Sequence, residues 1–244
     1  MLDRLLSVTD PIIDFFSPEK SLSLNEEYLK YISQDYPQNH TFNIVNQQLK
    51  PRYKLASRYK KLITLYPDHL TSLVDVGCSK GFFVFSANEF PTCQRSLGID
   101  INPYALNVCR WLKTTIQQPQ AKFEKLYLHE LAARIDEFGG AFQTVLVVNA
   151  YQYLYFGSDH FRHRYFDHDT IFKYLRTICS GRIIFNNRIE LKDCQNVNCI
   201  DFSDQRSQDY TEEKMLAAAA KYFKITQFGK IGKYPLFAFD VKSE

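Results

Sequence analysis

Short apolar runs alternate along the chain with longer segments in which apolar residues recur every three or four positions. The runs 73–76, 97–99 and 145–148 consist mainly of valine, leucine and isoleucine, and polar or glycine residues bound each of them. Such runs are typical of parallel strands that are buried on both faces. The segments between them have the spacing of amphipathic helices, so the pattern predicts strand, helix, strand units and an α/β fold.

The second half of the chain continues this alternation. The pattern predicts a helix over 169–179, a strand over 182–187, a helix that begins after Thr211, and two last strands over 223–231 and 235–242. A short turn that contains glycine and proline separates the two last strands. We therefore expect the chain to end in a hairpin that completes a mostly parallel sheet.

The first 70 residues have a different pattern. Helix-like pieces over residues 1–48 are interrupted by prolines, and a strongly basic segment, 50–61, follows them. We expect the basic segment to form a helix with its charges on one face and these apolar residues on the other: Leu55, Tyr59, Leu62 and Leu65. The pattern predicts a helical N-terminal extension over residues 1–70, ahead of a main domain over 71–244.

Composition agrees with one α/β domain and an extension. The chain has 244 residues, of which 45% are hydrophobic and 23% are charged. No apolar run approaches the roughly 18 residues that span a bilayer, and the acidic N-terminus does not resemble a signal peptide. Six cysteines are spread without the spacing of a zinc site, which indicates reduced thiols. We expect a soluble cytoplasmic protein that does not bind a membrane.

The segment 73–100 carries the clearest chemical signal. Asp75 ends the first strand, a turn contains Gly77 and Gly81, and Asp100 ends the second strand nineteen residues after Gly81. This spacing predicts a nucleotide-sized crevice with a carboxylate that reaches a ribose. Ser79 stands where a dinucleotide-binding turn has its middle glycine. The Asp75 carboxylate would also repel a pyrophosphate, so the turn favours a ligand with a cationic or amino group.

These residues resemble the first motif of class I S-adenosylmethionine-dependent methyltransferases. The sequence VDVGCSKG matches that motif at Asp75, Gly77 and Gly81 and departs from it at Ser79. The resemblance implies a doubly wound, mostly parallel seven-stranded sheet with an antiparallel last strand. It also implies S-adenosyl-L-methionine as the cofactor.

The same resemblance implies a set of binding residues. Asp75 is expected near the ammonium group of the cofactor, Asp100 on both ribose hydroxyls, and Ile101 against one face of the adenine. Tyr127 takes the position from which the family often contacts the adenine amino group. The full set of expected cofactor-binding residues is Asp75, Gly77, Cys78, Ser79, Gly81, Asp100, Ile101, Tyr127 and Asn149.

The end of the strand over 145–148 is expected to face the acceptor. Asn149 follows that strand, and the candidate catalytic residues Tyr151, Tyr153 and His160 follow Asn149. A tyrosine or histidine there could take the proton of a hydroxyl acceptor. The sequence NAYQ lacks the prolines of DNA adenine methyltransferases, so base methylation is not assigned. His160 and the two histidines after it have no regular ligand spacing, and no metal is predicted.

Three functions remain open on the sequence alone. Methylation of a small-molecule acceptor is favoured by the aromatic content of 15% and by the small net charge of +3. Methylation of RNA or protein would use the basic segment 50–61 together with Arg162 and Arg164. A nucleotide-binding protein without catalysis, or an NAD-linked enzyme, is the third. The acceptor atom and the oligomeric state are not specified.

Overall fold

A computed structural model describes residues 23–158, 163–195, 197 and 200–242. The strands are β1 (Phe42–Val45), β2 (Gln48–Pro51), β3 (Ser72–Val76), β4 (Arg95–Asp100), β5 (Ala121–Lys125), β6 (Phe142–Val148), β7 (Cys179–Asn186), β8 (Phe223–Ile231) and β9 (Tyr234–Val241). The helices are α1 (Leu24–Ser33), α2 (Tyr53–Leu62), α3 (Phe82–Ala87), α4 (Pro103–Thr115), α5 (Leu128–Ala133), α6 (Tyr151–Phe156), α7 (His168–Ile178), α8 (Gln205–Gln208) and α9 (Glu212–Ala219).

Seven strands form one sheet in the order β5-β4-β3-β6-β7-β9-β8. The five neighbouring strands β5, β4, β3, β6 and β7 are parallel to one another. Strand β9 lies between β7 and β8 and is antiparallel to both. Every residue of β3 is buried, as expected for a central strand with helices on both faces. The predicted doubly wound, mostly parallel sheet with an antiparallel last strand is confirmed.

Two apolar layers cover the sheet. On one face, α5, α6, α7 and α9 contribute side chains such as Leu131, Tyr151, Phe172 and Met215. On the other face, α2, α3 and α4 pack on the strands, and the hairpin of β1 and β2 adds Phe42. The carboxyl ends of the parallel strands lie between the two layers at one edge, where sheets of this type hold ligands.

The N-terminal extension is only partly helical in the described residues. After α1, the chain forms a hairpin of β1 and β2, which the sequence pattern did not predict. Asn46 and Gln47 connect the strands with φ angles of 50° and 62°. Positive φ at both central residues matches a tight hairpin turn, for which asparagine is well suited. Residues 1–22 of the extension lie outside the described residues.

The basic helix α2 also differs from the expectation that all its charges face solvent. Leu55 and Leu62 are buried as predicted, but Arg58 is only 8% exposed. Its Nη1 donates to Nε2 of His40 at 2.9 Å. This contact lets a charged side chain turn inward, because burial of a guanidinium requires a hydrogen-bond acceptor.

A buried histidine connects α6, α7 and the residues after α8. His168 Nδ1 lies 2.6 Å from the Tyr151 hydroxyl, and Nε2 lies 3.1 Å from the carbonyl oxygen of Asp209. Because that carbonyl can only accept, Nε2 carries the proton and Nδ1 accepts from Tyr151. Burial lowers the pKa of His168 from 6.5 to about 4. The folded protein therefore holds this histidine in its neutral form.

No helix in the described part of the chain has both the length and the apolar composition that crossing a membrane requires.

We predict that His168 makes stability fall in mild acid. In the unfolded chain the imidazole titrates near 6.5 and in the folded protein near 4, so the unfolded chain binds more protons in that window. Between about pH 7.5 and about pH 5, His168 should remove about 2 kcal/mol from the free energy of unfolding. The change measured by urea unfolding should be smaller by this amount in His168→Gln. An equal change in both proteins would contradict the assignment.

Candidate functional site

A cavity of about 540 Å³ opens at the carboxyl ends of the parallel strands. Its wall contains residues that follow four strands: Gly77 after β3, Ile101 after β4, Asn149 after β6 and Arg188 after β7. Tyr36, between α1 and β1, adds a wall from the N-terminal extension. A volume of this size suits a small ligand, since such pockets generally measure about 300 to 1,000 Å³.

The turn after β3 forms part of the cavity wall through Gly77 and Ser79. Gly77, Ser79 and Gly81 all have positive φ, at 78°, 49° and 75°. A Cβ on Gly77 would lie 2.8 Å from the Cβ of Ala150, so only glycine fits where this turn meets the residues after β6. Ser79 occupies a left-handed conformation that usually favours glycine. The departure at Ser79 therefore changes the residue and keeps the backbone shape.

Asp100 holds this turn in place from the next strand. Its Oδ2 accepts from the N–H of Ser79 at 2.8 Å, and its Oδ1 accepts from the N–H of Asn102 at 2.9 Å. Burial raises the pKa of Asp100, and the N–H groups that bond to it oppose that rise. Asp100 also lines the cavity. One carboxylate thus fixes the loop geometry and faces the cavity.

Asp75 is buried beneath the turn. It is 3% exposed, and its carboxyl group has no hydrogen-bond partner among the described residues. Burial, together with the nearby Asp100 carboxylate, raises the pKa of Asp75 to about 8. The group is therefore largely neutral at pH 7, and a cation placed next to it would favour its ionisation.

Three of the predicted cofactor-binding residues do not line the cavity: Asp75, Cys78 and Gly81. Cys78 is 2% exposed, and its side chain packs over Gly98 of β4. A Cβ on Gly81 would meet Cys109 and Phe123 at 2.9 Å, so this glycine serves the contact of the turn with α4 and β5. Cys78 and Gly81 therefore support the turn by packing against β4, α4 and β5.

The part of the cavity next to β4 and β5 is mostly apolar. Ile101 and Tyr127, two of the expected cofactor-binding residues, line it together with Leu126 and Leu128. The ring of Tyr127 stacks on His129 with a centroid distance of 5.7 Å. The backbone N–H of Tyr127 donates to the Glu130 carboxylate at 2.7 Å. A flat apolar ring fits between such side chains.

The residues after β6 form the opposite wall. Asn149 has a φ of 55°, and its N–H donates to the carbonyl oxygen of Asn186. Asn187 holds the next two residues: its Oδ1 accepts from the N–H groups of Ala150 and Tyr151 at 2.8 and 2.9 Å. Asn187 is fully buried, so the conformation of this wall is set by the strand next to it.

Two of the three predicted catalytic residues, Tyr151 and Tyr153, have different locations in the structure. Tyr153 lines the cavity, and its hydroxyl lies 3.3 Å from the hydroxyl of Tyr36. Tyr151 is fully buried in the core and bonds to His168, because the first turn of α6 points that ring away from the cavity. This location argues against a catalytic role for Tyr151. His160 lies outside the described residues.

Several cavity residues were absent from the sequence prediction. They are Tyr31, Tyr36 and His40 in the extension, and His163, Tyr165 and Arg188 in the main domain. His129 Nδ1 lies 2.9 Å from the Tyr165 hydroxyl, and the His163 ring lies 4.5 Å from that of His129. Burial and the neighbouring His129 lower the pKa of His163, which favours its neutral form. The cluster of histidines in the sequence indicated this region but not which of them faces the cavity.

A buried lysine ties the extension to the main domain. Lys80, in the turn after β3, donates its Nζ to the carbonyl oxygens of Asp35 at 2.7 Å and Pro37 at 3.4 Å. The same ammonium lies 4.9 Å from the centre of the Tyr31 ring. Lys80 is 1% exposed. These contacts fix the extension next to the turn after β3, and both line the cavity.

Among the described residues, no group of three or more His, Cys, Asp or Glu side chains could hold a metal ion. His163 faces the cavity and His168 is bonded in the core, so these two do not form one site.

Comparison with solved structures identifies the fold. The PH0226 protein from Pyrococcus horikoshii OT3 matches with a TM-score of 0.56 and 17% identity over 82% of this chain and 95% of that chain. The N-methyltransferase NodS from Bradyrhizobium japonicum WM9 matches with a TM-score of 0.52 and 14% identity over 78% of this chain and 97% of that chain. An O-methyltransferase family protein from Burkholderia thailandensis matches with a TM-score of 0.54 and 11% identity over 78% and 57%.

No protein-family model matches the sequence, and no curated protein matches it at a significant level. The solved structures are all distant in sequence, so they bear on the architecture. The chain has the class I methyltransferase fold.

We predict that Lys80→Met loosens the extension. The variant removes charged hydrogen bonds worth about 2 kcal/mol while keeping a long apolar side chain. Amide hydrogen exchange of residues 34–40 should rise by more than about tenfold, while exchange in α4 stays unchanged. Lys122→Met, at an exposed lysine of β5, is the matched control. Unchanged exchange of residues 34–40 in Lys80→Met would contradict the role of Lys80.

Proposed function

We propose that the chain is an S-adenosyl-L-methionine-dependent methyltransferase that acts on a small-molecule acceptor. The observation that carries the proposal is the bond between the Ser79 N–H and Asp100 at the wall of the cavity. It joins a tight turn and a second-strand carboxylate at the carboxyl edge of a methyltransferase-type sheet. The fold makes this activity a natural hypothesis, and the residues of the cavity support it.

The chain's own residues fit each part of this cofactor. Each oxygen of Asp100 already accepts one N–H, and the remaining lone pairs can accept from ribose hydroxyls. Ile101, Leu126 and Leu128 offer an apolar slot for the adenine. Gly77 and Ser79 line the part of the cavity where the amino-acid end of the cofactor would lie, and Asp75 is buried behind them.

When bound, S-adenosyl-L-methionine supplies a methyl group on a positively charged sulfur. The protein then has to hold the acceptor in line and exclude water, which can contribute on the order of 7 to 11 kcal/mol. The residues after β6 and the extension surround the acceptor side. Tyr36 and Tyr153 meet across it through their hydroxyl groups, 3.3 Å apart.

Proton removal is the other task of the acceptor side. His163 lines the cavity and its pKa is lowered by partial desolvation and by His129, so its imidazole is suited to take a proton; Tyr153 is suited to orient a hydroxyl acceptor. The sequence candidates for this task were Tyr151, Tyr153 and His160, and we add His163 because it lines the cavity. No covalent enzyme intermediate is needed for this reaction.

The alternative acceptor is RNA or a protein. Lys54 and Lys60 on α2 are exposed, which would suit an anionic polymer. Other charges of the same segment are already engaged, since Arg52 donates to the carbonyl of Ser33 and Arg58 is buried against His40. The alternative requires RNA binding that weakens steeply as salt rises.

A nucleotide-binding protein without catalysis is the other alternative. Such a protein would bind S-adenosylhomocysteine and transfer no methyl group.

We predict that Asp100→Asn weakens binding of S-adenosylhomocysteine. The variant keeps one acceptor oxygen and loses the charge, so affinity should fall by about 1.5 to 3 kcal/mol, or roughly tenfold to a hundredfold, in calorimetry. Glu124→Gln is the matched control, because Glu124 lies on β5 directly opposite Ile99 and is exposed. Melting temperatures should be compared for both. Equal affinity of Asp100→Asn and wild type for S-adenosylhomocysteine would show that Asp100 does not bind the ribose.

We further predict that S-adenosylhomocysteine binding releases protons at neutral pH. A ligand ammonium near Asp75 would lower its pKa from about 8, so the carboxyl group would lose its proton on binding. The calorimetric enthalpy should then differ between phosphate and Tris buffers in proportion to their ionisation enthalpies. Asp75→Asn should abolish this contribution. The same buffer dependence in the variant would show that the proton comes from elsewhere.

A further inference from the structure

The charged side chains that line the cavity differ in sign at its two ends. Among the described residues, Asp100 is the one acidic side chain in the wall and Arg188 is the one lysine or arginine. Asp100 ends β4, and Arg188 follows β7 on the far side of β3 and β6. The cavity therefore has an anionic end and a cationic end.

Arg188 has no carboxylate partner in the described part of the chain. The six ion pairs found there involve other cations, and Nε of Arg188 is buried without a hydrogen-bond partner. The guanidinium instead lies 5.8 Å from the centre of the Tyr234 ring. A guanidinium with a buried, unused N–H is a site that a planar anion can complete, because its donors match two oxygens at once.

A second buried arginine adds positive charge on the same side. Arg58 also has its Nε buried without a partner in the described residues. Its Nη1 contacts His40, a residue of the cavity wall, at 2.9 Å. Since a guanidinium only donates, Nε2 of His40 accepts, and burial lowers the pKa of His40 to about 3. His40 thus stays neutral, and it does not form an ion pair with Arg58.

The cationic end is separated from the turn that would hold the donor. The turn follows β3, and β7 lies two strands away in the sheet. Neighbouring strands are about 4.8 Å apart, so the two strand ends are separated by about 10 Å. The donor's amino-acid end belongs beside Gly77 and Ser79, which leaves Arg188 next to the space for the acceptor.

We propose that the acceptor is a small molecule with a carboxylate or phosphate group, which Arg188 binds. This inference rests on the proposed methyltransferase function and narrows its substrate class. The 540 Å³ cavity, its aromatic wall and its unpaired guanidinium favour a compact anion over a neutral apolar acceptor. Burial of the anion against Arg188 would fix which end of the acceptor faces the donor.

The test uses the full chain saturated with S-adenosylhomocysteine and four probes. Benzoate and phenyl phosphate represent the two anions, and benzamide and phenol are their neutral counterparts. Calorimetry should show that at least one anion binds at least about tenfold more tightly than its neutral counterpart, a difference of about 1.4 kcal/mol. Which anion binds separates a carboxylate from a phosphate acceptor. Equal binding of anions and neutral probes, or no binding of any probe, would overturn the proposal.

Variants locate the effect. Arg188→Met should remove the preference for the anion, and Arg188→Lys should retain part of it because the charge remains. Arg134→Met, at an exposed arginine paired with Glu137 away from the cavity, should bind as wild type does. The backbone carbonyl of Arg188 keeps its bond to Tyr210 in each variant, and the melting temperature checks the fold. An anion preference that persists in Arg188→Met would refute the assignment to this residue.

A second measurement separates the acceptor from the donor, whose methionine part also carries a carboxylate. Affinities for S-adenosylhomocysteine and for 5′-methylthioadenosine, which lacks that carboxylate, should both be the same in Arg188→Met and in wild type. A loss confined to S-adenosylhomocysteine would mean that Arg188 holds the donor, which would overturn this proposal and leave the methyltransferase function standing. Failure of wild type to bind either compound would refute the proposed function itself.

Discussion

The hydrogen bond from the Ser79 N–H to Oδ2 of Asp100 joins the loop after one parallel strand to the end of the next. Ser79 sits in a left-handed conformation that an L-residue adopts at some cost, and the charged acceptor offsets that cost. Gly77 carries the same turn into contact with Ala150 after β6. The ends of β3, β4 and β6 are thus held in a fixed arrangement. This arrangement forms the cavity.

The N-terminal extension completes what the strand ends begin. Lys80 leaves the same turn and bonds to carbonyl groups of the extension, so the wall formed by Tyr36 and His40 is anchored on the loop that Asp100 fixes. Tyr36 then reaches Tyr153 across the cavity. The wall beside Asp100 and the wall beside Tyr153 are therefore connected through a few polar contacts, and a change in the turn is expected to alter both.

Local patterns made the sheet and the turn that joins β3 to α3 predictable. The run ending at Asp75, the glycine turn and Asp100 lie within one strand, helix, strand unit, so sequence spacing maps directly onto space. The rest of the cavity wall depends on contacts between distant segments, such as Tyr36 with Tyr153 and Arg58 with His40, which no spacing reveals. Tyr151 shows the limit: it adjoins the site in sequence, but the first turn of α6 directs its ring into the core. The hairpin at 42–51 was missed because its strands are only four residues long.

The most direct test of this account is a crystal structure of the protein grown with S-adenosylhomocysteine. The account predicts that both ribose hydroxyls lie within hydrogen-bond distance of the Asp100 carboxylate, with the adenine between Ile101 and Leu126 and the sulfur directed towards the residues after β6. A ligand bound elsewhere, or a cavity that stays filled by protein side chains at saturating ligand, would contradict it.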